Sequence, residues 1–291
     1  MVVVNLKGGL GNQMFQYAFG LYLASLNNTS LSLDLTFLLD RTPRQNFVFR
    51  NFDLDIFENE YEILGSEEVK VFKNNGGRIK RLLKKDTTIL NERFFSFDSS
   101  NILKTKNIYI DGYWQSEKYF KPIESLLREK FTFKNELSEK EQNLANEINL
   151  SNSVCINFRR GDFVELKGSS ETHGVTSMEY YEEALAKMQK KVSDLKVFVF
   201  SDDIDWCKEN ISWDVPLFFV DHTYKGEKFS SYLHLMTLCK HFIIPNSTFG
   251  WWAAWLSNYE NKTVIAPEKW FEDKTLQSQA NDIYPENWIK I

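Results

Sequence analysis

The second half of the chain repeats one plan: a short apolar run, a polar cluster, then a helical stretch. "VCINF" runs into "RRGD", "KVFVFS" into "SDD", and "HFIIP" into "NSTFG" and "WWAAWLSN"; "PLFFVD" and "TVIAP" are further runs, the last of them closing the series. Short strands rich in Val, Ile and Phe, with helices between them, describe a parallel sheet covered on both faces. Ligands of such sheets sit at the carboxyl ends of the strands. "RRGD", "SDD" and "NSTFG" all fall at those ends, so three polar clusters are expected to converge on one crevice.

The first half opens on the same plan. "MVVVNL" reads as a buried strand, "KGGLGNQ" as a glycine turn, and "MFQYAFGLYLASLNN" as a helix starting at the turn. Backbone N–H groups at such a turn can hold an anion, or the turn can be a close strand-to-helix connection with no ligand. The stretch fits neither the dinucleotide fingerprint, since Met14 stands where the last glycine would, nor the P-loop, which needs a Gly-Lys pair. Residues 34–105 carry no pattern with an assignable mechanism. "NIYIDGYWQSEKYF" resumes with a strand over Ile108–Ile110, followed by aromatics that either stack on a sugar or pack a core.

At 291 residues the chain exceeds one ordinary core, so two domains are expected, 1–150 and 151–291, separated by the polar helix in "KNELSEKEQNLANEINLSNS". A net charge of −5 argues against a nucleic-acid partner. The basic run Lys80–Lys85 is a solvated helix face, or else a contact for a membrane edge or an acidic substrate. Cys155, Cys207 and Cys239 are widely spaced with no C-x-x-C, which suggests buried thiols in a reducing compartment. No run is long and apolar enough for a signal peptide or a membrane span, so a cytoplasmic protein is expected.

Each cluster has its own chemistry. Arginine's fork matches a phosphate or carboxylate, and of Arg159 and Arg160 one is expected to face the crevice while the other braces the loop. Ser247, Thr248 and the opening N–H groups of the next helix form a second anion seat. Ser201 and Asp202 either contact a nucleoside or cap the following helix. The adjacent Asp202 and Asp203 have no third ligand at suitable spacing, so no metal is expected. His173 lies in a polar loop and is a substrate-contact candidate, while His234 and His241 read as structural.

Taken in order, "GGLGNQMFQYAFG", "GYWQSEKYF", "NFRRGDF", "THGVTSMEYY", "FSDDIDWCKEN" and "LMTLCKHFIIPNSTFGWWAAWL" resemble the bacterial α-1,2-fucosyltransferases. The resemblance spans nearly the whole chain. It implies an α/β fold of the GT-B glycosyltransferase type, two Rossmann-like domains facing a cleft, with the acceptor mainly on the first and GDP-β-L-fucose on the second. It implies inverting, metal-independent transfer of L-fucose, without any cofactor, to the 2-hydroxyl of a galactose-like residue in an oligosaccharide or polysaccharide repeat. Peripheral association with the inner face of the membrane goes with that role.

Carried over by motif, Arg159 neutralises the β-phosphate of departing GDP, and Ser247 and Thr248 bind the phosphates from the other side. Gly9, Asn12, Gln13, Asn157, Arg160, Ser201, Asp202, Asn246 and Phe249 complete the expected donor site. Tyr113, Trp114, Gln115 and Glu165 are the expected acceptor contacts, and Asp162, ahead of Glu165 and His173, is the expected base. Two departures stand out: Asn157 replaces the family's usual histidine, and the acidic residue common near Tyr232 is absent.

Overall fold

The computed structural model describes residues 1–44, 48–74, 87–161 and 174–291. It divides into two units, Met1–Thr132 with Gln279–Pro285, and Phe133–Ser278 with Glu286–Ile291. Both are parallel sheets connected through helices, the α/β class expected.

The first unit holds β1 (Val2–Asn5), β2 (Leu31–Asp34), β3 (Ile63–Leu64), β4 (Thr88–Asn91) and β5 (Ile108–Asp111), in the order β3-β2-β1-β5-β4. Each adjacent pair is parallel. Val2, Val3 and Val4 are fully buried, as a strand covered on both faces requires. The glycine turn delivers α1 (Leu10–Leu26), whose Met14, Phe15, Ala18 and Phe19 are also sealed from solvent. Gly20 lets it lie flat on the sheet, because a Cβ there would stand 2.3 Å from Val4 Cγ2.

The unassigned stretch 34–105 supplies the edge strands β3 and β4 and the helix α2 (Ser66–Lys73). Near the far end of the chain, Asp282 accepts the Phe97 N–H at 3.0 Å and Gln279 accepts that of Phe95 at 3.2 Å, which ties residues 279–285 into this unit.

The second unit begins earlier than the expected boundary at residue 150. The separating helix, α3 (Glu139–Leu150), starts at a capping box between Ser138 and Glu141 and buries Leu144, Ala145 and Ile148. It belongs with the second sheet because Glu147 pairs with Lys196, at the start of its second strand. That sheet contains β6 (Asn152–Phe158), β7 (Leu195–Ser201), β8 (Leu217–Phe219), β9 (His241–Ile243), β10 (Val264–Ala266) and β11 (Ile289–Lys290). The order is β11-β10-β9-β6-β7-β8, so "TVIAP" is not the last strand. The sequence around β11 is too short and too exposed to carry a strand pattern; Ile289 and Lys290 pair in parallel with Ile265 and Ala266.

Besides α3, the described residues cover this sheet with α4 (Met178–Gln189), α5 (Ile204–Asn210), α6 (Ser230–Thr237) and α7 (Thr248–Leu256). Tyr181, Ala184, Leu185 and Met188 of α4 pack with Ile204 and Cys207 of α5 against Val154, Ile156, Val197 and Val199. On α6, Tyr232 meets the alternate residue Phe200 edge-on at 5.0 Å. Ser177 caps α4, accepting the Tyr180 N–H.

Candidate active site

In the second sheet the chain leaves β6 toward β7 and β8 on one side, and returns to build β9, β10 and β11 on the other. The order therefore reverses between β6 and β9, and in sheets of this kind such a reversal is where ligands sit, at the strand carboxyl ends. "RRGD" follows β6, "SDD" follows β7 and "NSTFG" follows β9. These are three adjacent strands, so the three clusters stand side by side at the same end of the sheet.

Asp202 organises the arginine loop. Its Oδ2 accepts Arg159 Nη1 at 2.6 Å and the Gly161 N–H at 3.1 Å, and its Oδ1 accepts the Arg160 N–H at 2.9 Å. Gly161 permits the approach, since a Cβ there would lie 2.9 Å from Asp202 Oδ2. Arg160 is the bracing arginine: its guanidinium stacks 3.5 Å over the Trp206 ring, with Asp203 Oδ2 at 3.7 Å from Nε. Arg159 keeps about a quarter of its side chain exposed. Asp202 was read as a nucleoside contact or a helix cap; its oxygens hold this loop, and the helix cap is Asp203, which accepts the Trp206 N–H.

Several expected donor residues are committed to the fold. Ser201 Oγ accepts the Asp203 N–H, and its carbonyl accepts from His222 Nε2 at 2.9 Å, which assigns the hydrogen to that nitrogen. Asn157 is buried, donates to the Phe200 carbonyl at 3.3 Å, and presses against Gly250, where a Cβ would stand 2.8 Å from Asn157 Oδ1. Asn246 donates to the Trp270 carbonyl and accepts from Thr176, so it fixes the loop after β9.

Beyond Asn246 the loop changes character. Ser247 is the N-cap residue of α7, but no side chain caps that helix, and Thr248 and Phe249 in its first turn are partly exposed. Its opening N–H groups and the Thr248 hydroxyl stand after β9, the strand beside the one that carries Arg159. Buried Trp251 and Trp252, 5.0 Å apart, anchor the helix behind it.

The first sheet reverses in the same way, between β1 and β5. Gly9 and Asn12 follow β1, and Asn12 Oδ1 accepts Gln115 Nε2 at 3.0 Å, joining the two strand ends. Gln13 is fully buried: it donates to the Gly8 and Asn51 carbonyls and accepts the Asp53 N–H, a structural clamp instead of the expected donor contact.

Trp114 is likewise core and not a sugar platform. It is fully buried, sits in the left-handed region at φ 57°, and packs on Phe19 at 4.7 Å and Tyr119 at 5.3 Å. Tyr113 is the partly exposed member of the segment, stacked on Phe95 at 6.3 Å.

Three charged residues escaped the sequence reading: Lys7 after β1, Asp111 ending β5, and Glu92 after β4. Lys7 pairs with Asp111 across the reversal point. Glu92 accepts the Tyr113 N–H at 2.6 Å and the Trp114 N–H at 2.8 Å, while burial pushes its carboxyl up to about 7. No periodicity marks them, because each stands singly just past a strand.

The expected residues Asp162, Glu165 and His173, and the run Lys80–Lys85, lie outside the described residues. His234 stacks on Phe133 at 4.3 Å and His241 accepts the Thr263 N–H, which are the structural roles expected of them. Among the described residues no three His, Cys, Asp or Glu stand together as metal ligands, and no helix is long and apolar enough to cross a membrane.

The chain thus holds two successive parallel α/β units, the second with a guanidinium and an uncapped helix end at its reversal point. The chain belongs to glycosyl transferase family 11, whose model matches residues 1–291. It is 36% identical to an Escherichia coli alpha-1,2-colitosyltransferase, over 100% of this chain and 99% of the relative. It is 30% identical to the O-antigen biosynthesis glycosyltransferase WbnK of the same organism, over 98% and 99%. The crystal structure of fucosyltransferase NodZ from Bradyrhizobium aligns at a TM-score of 0.49 and 15% identity, over 87% of this chain and 91% of that one.

Proposed function

We propose that this glycosyltransferase moves L-fucose from GDP-β-L-fucose, with inversion and without a metal, to the 2-hydroxyl of a galactose-like residue in a surface-polysaccharide repeat or oligosaccharide. In this reading the first unit takes the acceptor and the second the donor, and the work is done at the cytoplasmic face of a membrane. The observation that carries this reading is the pairing of Arg159, held by Asp202 at the end of β6, with the uncapped N-terminus of α7 after the neighbouring β9.

Departure of GDP concentrates negative charge on the β-phosphate as the sugar acquires oxocarbenium character. A guanidinium and helix N–H groups already fixed there stabilise the transition state more than the ground state. Arg159 takes one side of the diphosphate, and Ser247, Thr248 and the first turn of α7 take the other. Asp202 acts by aiming Arg159, and Asn157 by packing the β6 end against α7.

One observation favours a second reading. The 36% identity to a colitosyltransferase supports GDP-colitose, whose sugar is the 3-deoxy counterpart of fucose, as the donor. Purified protein supplied with either donor and a panel of β-galactosides, with and without EDTA, decides between them by GDP release and by NMR of the product linkage. Acceptor-dependent, EDTA-resistant release with GDP-fucose, an α-1,2 linkage and loss on Arg159→Ala are expected. Preference for GDP-colitose establishes the second reading, and tight GDP binding with no turnover on any acceptor refutes both.

A further inference from the structure

Asp202 can aim Arg159 only if the end of β7 is itself held in place. We propose that Tyr232, together with His222, is a positioning residue of the donor site, acting on Arg159 through Ser201 and Asp202; the assignment rests on the transferase reading above and deepens it.

The first argument is the chain of contacts, all of it inside the second unit. Tyr232 and Ser201 are buried, and the Tyr232 hydroxyl accepts the Ser201 N–H at 3.2 Å while donating to the carbonyl of Val220, the residue after β8. The Ser201 carbonyl accepts from His222 Nε2 at 2.9 Å. The peptide groups on both sides of Ser201 are therefore pinned, and the second of them leads directly into Asp202. Asp202 in turn accepts Arg159 Nη1 and the Arg160 and Gly161 N–H groups.

The second is where the sheet stops supporting this strand. The β7–β8 ladder closes with the Val220 N–H on the Val199 carbonyl at 2.9 Å, two residues short of Ser201. Pairing with β6 continues to Ser201 on the other side. Beyond Val199, then, the β8 side of the strand end is held by the side chains of Tyr232 and His222. Burial pushes the Tyr232 phenol up, so the hydroxyl keeps the hydrogen it gives to Val220.

The third is backbone strain just ahead of α6. Lys228 and Phe229, at φ 50° and 60°, lie consecutively in the left-handed region. Non-glycine residues adopt that conformation at a cost, and it persists only where the surroundings over-determine it. Here the Tyr232 N–H closes the turn on the Lys225 carbonyl at 3.3 Å, and the Phe229 ring stands edge-on to His222 at 5.8 Å and to Tyr232 at 5.7 Å. Gly226 completes the turn at φ 65°, where a Cβ would meet Ser231 Oγ at 2.4 Å. The strained turn thus sets one ring against both residues that hold Ser201.

The test is steady-state kinetics of the full-length chain with whichever of GDP-fucose and GDP-colitose it turns over. Wild type is compared with Tyr232→Phe, His222→Ala and His222→Gln, each alone and combined with Arg159→Ala. Tyr232→Phe keeps the ring that meets Phe200 and removes only the hydroxyl. It should lower kcat/KM for the donor about tenfold, within the loss of up to about 10²-fold that a 1 Å misplacement causes. In the Arg159→Ala background the same change should matter by roughly twofold or less, because no guanidinium is left to aim. His222→Ala should behave likewise, and His222→Gln, whose amide can donate to Ser201 in place of Nε2, should recover most of the activity. The His222 pair reads the same link if Tyr232→Phe does not fold. Unchanged kinetics in Tyr232→Phe and His222→Ala, or losses as large without Arg159 as with it, would show a role confined to packing and overturn the assignment alone. Absence of wild-type transfer to every acceptor overturns the transferase reading and this one with it.

Discussion

Arg159 Nη1 lies 2.6 Å from Asp202 Oδ2, and the same carboxylate collects the backbone N–H groups of Arg160 and Gly161. One side chain at the end of β7 thus sets both the direction of the guanidinium and the path of the loop that carries it. Asp202→Ala should therefore behave like Arg159→Ala, each lowering kcat/KM for the donor by about 10²–10³-fold, the range for loss of one oriented charge-stabilising group. Because the two act as a unit, the double variant should be little worse than either single one. Steady-state kinetics on the three proteins checks this, and additive losses would show that Asp202 has a separate role.

Trp114 and Tyr113 are neighbours with opposite fates. The fully buried Trp114 ring packs on Phe19 and Tyr119, whereas Tyr113 keeps an exposed edge beside Phe95. Trp114→Ala should cost about 3–5 kcal/mol of stability, as for other buried aromatic truncations, while Tyr113→Ala should raise the acceptor KM and move the melting temperature little. Denaturant unfolding and acceptor kinetics on the two variants separate these effects.

What the sequence revealed, and what it hid, divide along physical lines. The strands of the second unit were legible because a parallel strand covered on both faces is a continuous apolar run, as in Val197–Phe200. Their polar ends were legible because "RRGD", "SDD" and "NSTFG" interrupt such runs abruptly. The short edges β3 and β4, with Ile63 and Ile89 exposed, have no such run, and neither has β11.

Within the site, residue type did not reveal which polar groups the fold consumes. Gln13 and Asn12 are adjacent in one motif, yet Gln13 is closed off by Asn51 and Asp53, residues distant in sequence. Asn246 is likewise held by the Trp270 carbonyl, and Asp202 by backbone from the preceding strand's loop. Such partners exist only once tertiary structure has formed. Glu92 was hidden for the converse reason: a lone carboxylate after an exposed edge strand looks like ordinary surface until its two N–H donors arrive.

Asn157 and Gly250 are interlocked, with a Cβ on Gly250 placed 2.8 Å from Asn157 Oδ1 and 3.4 Å from Ile244. Gly250→Ala should push Asn157 off the Phe200 carbonyl and strain the β6–α7 contact, costing about 1–3 kcal/mol as overpacking does. Pairing it with Asn157→Ala, which removes the clash, should recover part of that loss. Thermal unfolding of the two singles and the double measures the coupling, and equal melting temperatures in wild type and Gly250→Ala would show that the helix shifts freely.

Glu92 leaves a mark on stability that is independent of any substrate. Its folded carboxyl titrates near 7 against an ordinary value of 4.5, with burial as the largest cause and the two N–H donors and Lys7 opposing it. The raised value means that the folded state binds this proton more tightly than the unfolded chain does. The stabilising contribution is therefore fully present below pH 4.5 and is lost as pH rises through about 7. A shift of this size corresponds to about 3 kcal/mol. Glu92→Gln, which cannot ionise, should lack that component, so the difference in unfolding free energy between variant and wild type should move in the variant's favour by roughly this amount between acid and neutral pH. Urea unfolding of both proteins at a series of pH values measures it, and parallel curves across that window would mean that the Glu92 carboxyl is solvated more freely than its contacts with Tyr113, Trp114 and Gly112 allow.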